Sequence, residues 1–555
     1  MKKYTILKYI FVLAFIPTTI IAQSTYNDVY TIFQAKCVSC HNSTDLAGSL
    51  NLDDSASVVY SNIINVNTTN TVALAKNNKL IFPGDPNRSF ILRKCIDVLT
   101  TENGLETGEG SPCPQDTTTT VLSNKDVELI RQWIFAGAPQ TGIVVDTTVI
   151  SKYYGGLGIN NTPAQHPVPT EPGAFQIHIG KIFMDANSET EYFLKYDLKL
   201  PDTVEVNRIE VFMPAHSHHF LIYKFEPGEE AGYANGVRTQ NPLTGEGSSS
   251  GNNTLVSAWQ YSDNMVLPSG TAYEWLNTTV LDLNHHLFNP FPDSVTANDV
   301  YINVYTQPKH TADYIMYCQL VDNTNILIFN NSTDYTFTKS DYSSNAGNMW
   351  NVWLLSSHTH KYGKDYDIYK RNPGGGKGDK LYEGFYNIDY SFDQGYYDWE
   401  HPPTRKFDPL LEINPRDGLI QEAVFNNDGP LPVTFGLTTN DEMMLYFIQY
   451  TIGTPITTGI NENKASSFSL NSYPNPFGAS TQITYSLDKP STVSITVMDM
   501  LGKKVATIVN QEEQQIGNHA YTFNPQQYGY PAGIYVVKAT INDEHVSKTI
   551  IQTQE

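Results

Sequence analysis

Cysteine is scarce: five residues in a chain of 555. That is too few to staple an exported protein of this length, so its stability must come from buried cores. Positive charge is also short. Lys and Arg number 35 against 57 Asp and Glu, a formal net charge of −22, which argues against nucleic acid or an anionic membrane as partner. Long apolar runs are missing beyond the N-terminus. The one run, Tyr9–Ile21, follows Lys2, Lys3 and Lys8, is short for a membrane span and precedes small residues near Ala22. Residues 1–22 therefore read as a signal peptide and the chain as an exported soluble protein. Helical periodicity is confined to residues 24–140, and no internal repeat or substantial low-complexity tract is present.

The remainder is rich in Tyr (35) and Phe (25), set in short alternating runs among Gly, Pro, Asn and Asp, a mainly β signature. Length argues for several domains. In residues 24–140, Ser123 offers an N-cap to a helical pattern running to Ile134 and ended near Gly137 and Pro139. Residues 141–172, rich in Gly, Thr and Pro, read as a linker. Strand-like runs then fill 173–455, among them Tyr192–Leu200, Arg208–Phe212, Phe220–Phe225, Val300–Tyr305 and Met443–Tyr450. A second linker, 456–467, leads into a smaller β region, 468–555. Cys95 and Cys113 are candidate disulfide partners across a Gly-rich loop, and Cys318 reads as a buried strand residue.

Cys37-Val38-Ser39-Cys40-His41 has the spacing of c-type haem attachment. Two thiols can form thioethers to the vinyl groups, and the following His supplies an axial nitrogen. The flanking segments Phe82–Phe90 and Trp133–Ala138 resemble cytochrome-c-like modules. The second axial position has no evident candidate: no Met occurs between Met1 and Met184, and His166 is the only other histidine before His178.

Histidine is concentrated between His216 and His360, in the segments Met213–Leu221, Leu281–Pro290 and Ser356–Lys364. Imidazole suits copper, zinc, iron and nickel, so these histidines alone fix no metal. His358 and His360, spaced i, i+2, share one face of a strand. His218 and His219 are adjacent and can share an ion only at a strand end or bulge, with His216 as a supporting neighbour of His218.

These segments resemble the copper type II, ascorbate-dependent monooxygenases, the peptidylglycine α-hydroxylating and dopamine β-monooxygenase family. His218-His219 resembles the family's paired histidines. Alignment on Asn289-Pro290 selects His286 over His285 as a third. His358-Thr359-His360 is similar to the His-Thr-His of the second copper site, and Asp441-Glu442-Met443 to the segment bearing its thioether. The resemblance keeps motif order over roughly half the chain. It implies tandem antiparallel jelly-roll β-sandwich domains, 173–305 and 306–455, with two coppers per chain. His218, His219 and His286 would hold the electron-transfer ion; His358, His360 and Met443 would hold the oxygen-binding, catalytic one. A thioether favours Cu(I) and is a poor zinc ligand, which weighs against a hydrolytic zinc site. The family's carboxylate clamp is missing: its positions are Ser356, Leu445 and Phe447, so a glycine-extended peptide is not the expected substrate.

Ser472–Phe477, Val493–Val505 and Tyr530–Lys538 resemble the type A sorting domain of type IX secretion, a small β-sandwich. The expectation is a mainly β enzyme preceded by a small α-helical cytochrome-c-like domain at 24–140 and followed by this sorting domain. It would be secreted or displayed at the cell surface. It would hydroxylate an sp³ carbon of a small substrate with O₂ and an external electron donor, ascorbate-like or a redox protein, with the haem as an electron feed. Its other partner would be the type IX secretion machinery. The alternative is a non-catalytic copper- and haem-binding electron-transfer protein.

Overall fold

A computed structural model describes residues 24–96, 105–114, 122–162, 166–239, 253–343, 348–385, 397–436, 438–453, 470–487, 489–499, 504–542 and 544–553. The expected signal peptide and the linker at 456–467 lie outside the described residues. The chain divides into two compact units, 1–456 and 457–555, and is mainly β with helices at its N-terminal end.

The first unit opens with α1 (Thr25–Lys36), α2 (Ala56–Ile63), α3 (Thr71–Ala75), α4 (Phe90–Ile96), α5 (Asn124–Phe135) and α6 (Thr147–Lys152). The Ser123 hydroxyl accepts from the Asp126 backbone and the Asp126 carboxylate accepts from the Ser123 backbone, a reciprocal cap that starts α5 where the sequence pattern begins. Tyr26, Phe33, Ile63, Leu92, Ile130 and Trp133 form the helical core. Tyr26 stacks on Trp133 with ring centres 5.4 Å apart.

The strands of this unit begin with β1 (Gly158–Asn160), β2 (Phe175–Met184), β3 (Glu189–Asp197), β4 (Val204–Phe212), β5 (Ser217–Phe225), β6 (Gly236–Thr239) and β7 (Asn253–Trp259). There follow β8 (Asp263–Val266), β9 (Thr271–Trp275), β10 (Val280–Phe288), β11 (Val295–Pro308), β12 (Tyr314–Asp322), β13 (Leu327–Ile328) and β14 (Asp334–Asp341). The last are β15 (Trp350–His358), β16 (Gly363–Arg371), β17 (Lys377–Glu383), β18 (Thr404–Ile413), β19 (Leu419–Asn426), β20 (Val433–Thr434) and β21 (Leu445–Ile452). One sheet runs β1-β11-β4-β9-β12-β21-β15-β18, with β2 added on β11 and β8 on β4. A second runs β6-β3-β10-β5-β7 and a third β14-β19-β16-β17.

Two boundaries differ from the sequence reading. The stretch 141–172 is not a bare linker: α6 buries Val149 and Ile150, and β1 pairs in parallel with β11. The division expected near residue 305 falls inside β11, which continues to Pro308. The first sheet also runs across that division, because β9 and β12 pair in parallel through Thr271 and Tyr314. A run of apolar residues cannot reveal such a pairing, since register between distant strands leaves no local mark.

The five-stranded sheet is covered on both faces. Phe220 and Ile222 of β5 and Leu281 and Leu283 of β10 meet Ile209, Val211 and Trp275 of the large sheet. The alternate residues Phe193, Leu221 and Tyr223 meet Cys318, Met443, Leu445 and Phe447. Burial on both sides explains why β5 and β10 lack polar alternation. Phe220 is fully buried, so Phe220→Ala should cost about 3–5 kcal/mol. A lowered urea midpoint of the first unit's transition, with little change in slope, is the expected readout.

The second unit consists of β22 (Asn471–Tyr473), β23 (Thr481–Leu487), β24 (Ser491–Asp499), β25 (Lys504–Gln514), β26 (Gly517–Phe523), β27 (Ile534–Ile541) and β28 (Glu544–Ile551). They form sheets β22-β23-β26 and β25-β24-β27-β28 over a common core that includes Ile483, Tyr485, Ile495, Val497, Phe523 and Val537.

Candidate metal centre

His218 and His219 stand at the start of β5. In the pairing of β5 with β10, His286 lies opposite His219 and Leu287 opposite Ser217. His218 is therefore the extra residue of a β-bulge, the irregularity that lets adjacent histidines turn to one side. β10 carries His285 and His286 to opposite faces. His285 is fully buried and satisfied, its two nitrogens bonded to the Tyr192 hydroxyl at 2.9 Å and the Ser217 hydroxyl at 2.8 Å. His286 points to the paired histidines, with its ring centre 4.9 Å from His218 and 5.2 Å from His219.

β15 ends at His358, so His360 lies just past the strand rather than on it. Both rings nevertheless reach the same place: His218 is 4.7 Å from His358 and 5.2 Å from His360, centre to centre. Five imidazoles thus form one cluster, with His218 shared by two ion-sized groups, His218–His219–His286 and His218–His358–His360. The separate ligand sets expected from the resemblance are brought together through His218. His216 stays outside, edge-on to Phe291. Met443 precedes β21 and is buried in the apolar cluster with Leu221, Cys318 and Phe447. Trp399 packs against His218 with ring centres 5.2 Å apart.

The ring nitrogens divide into two kinds. His286 Nε2 lies 2.7 Å from a Glu189 oxygen, His219 Nε2 3.0 Å from Asn284 Oδ1 and 3.3 Å from Glu191 Oε1, and His360 Nδ1 3.2 Å from the Asp441 carbonyl oxygen. Both nitrogens of His218 and of His358, with His286 Nδ1 and His360 Nε2, are buried and have no hydrogen-bond partner. Unpaired buried polar atoms are costly, and one nitrogen from each ring of these three-histidine groups is the kind of donor a metal ion takes.

Electrostatics favours the neutral form of the His218, His358 and His360 rings. Burial, followed by the neighbouring imidazoles, drives the His218 and His358 pKa values well below the ordinary value, and burial pushes His360 down to about 4. Burial alone would raise the Glu189 carboxyl, but hydrogen bonds from His286 and Thr439 outweigh it and hold the group at about 2.

Sequence reasoning missed four of these groups. Glu189, Glu191 and Asn284 sit on β3 and β10, where His286 pairs with Glu191. Glu442 is fully buried: one oxygen accepts the His360 and Met443 backbone N–H groups, each at 2.9 Å, and the other accepts that of Tyr362 at 2.8 Å. The only signal for it was its place beside Met443.

In the helical region, Cys37, Cys40 and His41 line a cavity of about 650 Å³ walled by Leu50, Leu52, Leu80, Phe90 and Ile91. That is within the usual size range of cofactor sites. His41 Nδ1 bonds the Ala47 carbonyl oxygen at 2.8 Å, fixing the ring. The expected Cys95–Cys113 disulfide is not formed; all five cysteines are free. Cys95 is held in the helical core and Cys113 by a 3.0 Å backbone bond to Lys94. Burial raises both thiols, which keeps them protonated. His166 stacks on Phe212 and is not among the cavity-lining residues.

The C-terminal region matches the family model described as the secretion system C-terminal sorting domain over residues 471–553. The second unit is a type IX secretion sorting domain. It directs export to the cell surface or medium and engages the secretion machinery. No curated protein matches the chain. Among solved structures, the major capsid protein P2 of bacteriophage PM2 is 10% identical, with 51% of this chain and 99% of that chain covered, at a TM-score of 0.23. The glycosylasparaginase PNGase F of Flavobacterium meningosepticum is 11% identical over 51% and 97%, also at 0.23. A β-glucuronidase of Faecalibacterium prausnitzii is 12% identical over 40% and 36%, at 0.12. Likenesses this low carry no argument about the chain.

A metal-free sample should lose stability as pH falls from 6.5 toward about 4, because unfolded histidines take up protons that folded His360 takes up only near the lower value. Above pH 6.5 this contribution is constant. Thermal unfolding across that window, with and without added copper, checks it: copper binds the unprotonated rings, so it should raise stability most at the upper end and steepen the slope.

Proposed function

We propose that this secreted protein is a copper-dependent monooxygenase that hydroxylates an sp³ carbon of a small organic substrate, using O₂ and an external reductant. The observation that carries the reading is the convergence of His218, His219, His286, His358 and His360 with six unpartnered imidazole nitrogens. The family resemblance of their segments selects copper, two ions per chain, and tandem jelly-roll domains around them. Bound copper would supply O₂ activation and single-electron transfer.

The chain's own residues orient and exclude. Glu189 and Glu191 fix the His286 and His219 rings, and the Asp441 carbonyl fixes His360. Glu442 ties the His360 and Met443 backbones to one carboxylate. Ser356, Leu445 and Phe447 offer no charge to grip a carboxylate, which favours a neutral or apolar substrate. Cys37 and Cys40 would anchor a c-type haem by thioethers and His41 would supply an axial nitrogen, with the haem as an electron feed from an ascorbate-like or protein donor.

The burial of all five histidines favours a second reading, a copper- and haem-binding electron-transfer protein without an open coordination position. Metal analysis of the secreted chain should find about two coppers, falling to about one in His358→Ala/His360→Ala. Absence of retained copper sinks both readings. Copper retention with no O₂ consumption in the presence of ascorbate, across a panel of apolar substrates, selects the second. Glu189→Gln should weaken copper affinity about 10–100-fold, measured by competition with a chromogenic chelator.

A further inference from the structure

We propose that Asp365, Asp367 and Glu383 form a binding site for a hard divalent cation, calcium by its chemistry, on the β16–β17 hairpin and independent of the imidazole cluster. One oxygen from each carboxylate lies within 4.8 Å of the others. Asp365 and Asp367 are i, i+2 on β16, so they share a face, and Glu383 stands directly opposite Asp367 across the pair. Like charges directly opposite on neighbouring strands destabilise a hairpin, so this arrangement calls for a cation.

Lys380 supplies part of it. Its ammonium lies 2.7 Å from Asp367 Oδ2 and 2.8 Å from Glu383 Oε2. One ammonium leaves three carboxylates two charges in excess. The second observation concerns Asp367. Its side chain is only 8% exposed, and its Oδ2 is taken by Lys380 and by the Tyr369 hydroxyl at 2.8 Å. Its Oδ1 is buried and has no hydrogen-bond partner. A buried carboxylate oxygen without a donor is costly, and a cation held by this residue and its two carboxylate neighbours would supply the missing partner. Burial and then the charges of Asp367 and Glu383 push the Asp365 acid up to about 6, the repulsion expected of an uncompensated trio.

The donor set fixes the class of ion. It is all oxygen, with neither imidazole nor thiolate, so copper and zinc are disfavoured. Glu383 is exposed, leaving room for waters in a flexible shell of high coordination number, which suits calcium better than the strict octahedron of magnesium. Export places the protein where millimolar calcium can fill a weak site, of the ~10⁻⁴–10⁻³ M class found in extracellular modules. The ion would clamp β17 to β16, which begins three residues after His360.

Terbium luminescence excited through tyrosine, with Tyr369 beside the trio, tests this on the full secreted chain. The expected result is a saturable signal displaced by calcium more readily than by magnesium. Asp367→Asn should weaken it by about tenfold or more, and Lys380→Gln should tighten it by removing the competing ammonium. Copper content should be unchanged in both variants. A wild-type chain without saturable, calcium-displaced emission overturns the site, as does emission indifferent to Asp367→Asn. So does a Lys380→Gln variant that binds no more tightly than wild type.

Discussion

Six imidazole nitrogens withdrawn from water without hydrogen-bond partners are the constraint around which the first unit is organised. Each such atom forfeits hydration and gains no hydrogen bond in return. The arrangement persists because the surrounding packing leaves the rings nowhere else to go. The five-stranded sheet is buried on both faces, and the His218 bulge and the end of β15 deliver rings from two distant segments to one point. Carboxylates at Glu189, Glu191 and Glu442 then hold rings and backbone in register. Glu189 does this across the two halves, since its oxygen also accepts from the Thr439 backbone at 3.0 Å.

That bridging gives the large sheet its importance. A pair of independently folded halves could drift, and drift would separate His218 from His358. Continuity of β9 with β12, and the apolar layer of Leu221, Tyr223, Cys318, Met443 and Phe447, make the relative placement of the halves a matter of core packing. Packing of this density tolerates displacement poorly. The fold therefore builds a rigid donor set from residues that are far apart in the chain.

Several features were legible because their signal is local. The cap at Ser123 and the helix that follows it depend on neighbouring residues alone. The need for a strand end or bulge at His218-His219 follows from the two-residue period of a strand, and β5 has a bulge there. His286 was separated from His285 by resemblance, whereas the physical reason is face parity: His285 spends both nitrogens on Tyr192 and Ser217 inside the core. Glu189 and Glu191 look like ordinary solvated residues in sequence. They acquire their roles only because β3 lies beside β10.

The sequence by itself determined the kinds of chemistry available: thiols and imidazole at haem-attachment spacing, five histidines and a methionine in three segments, and a C-terminal export signal. It also set a mainly β architecture through its alternating aromatic runs. Tertiary structure decided how these parts combine. It merged two expected histidine sets through His218, carried the first sheet through the division expected near residue 305, left Cys95 and Cys113 as free thiols and gave Glu442 its task. The reason is the same in each case. These outcomes depend on register and on which face of a strand meets which partner, and both are set by contacts between residues remote in the chain.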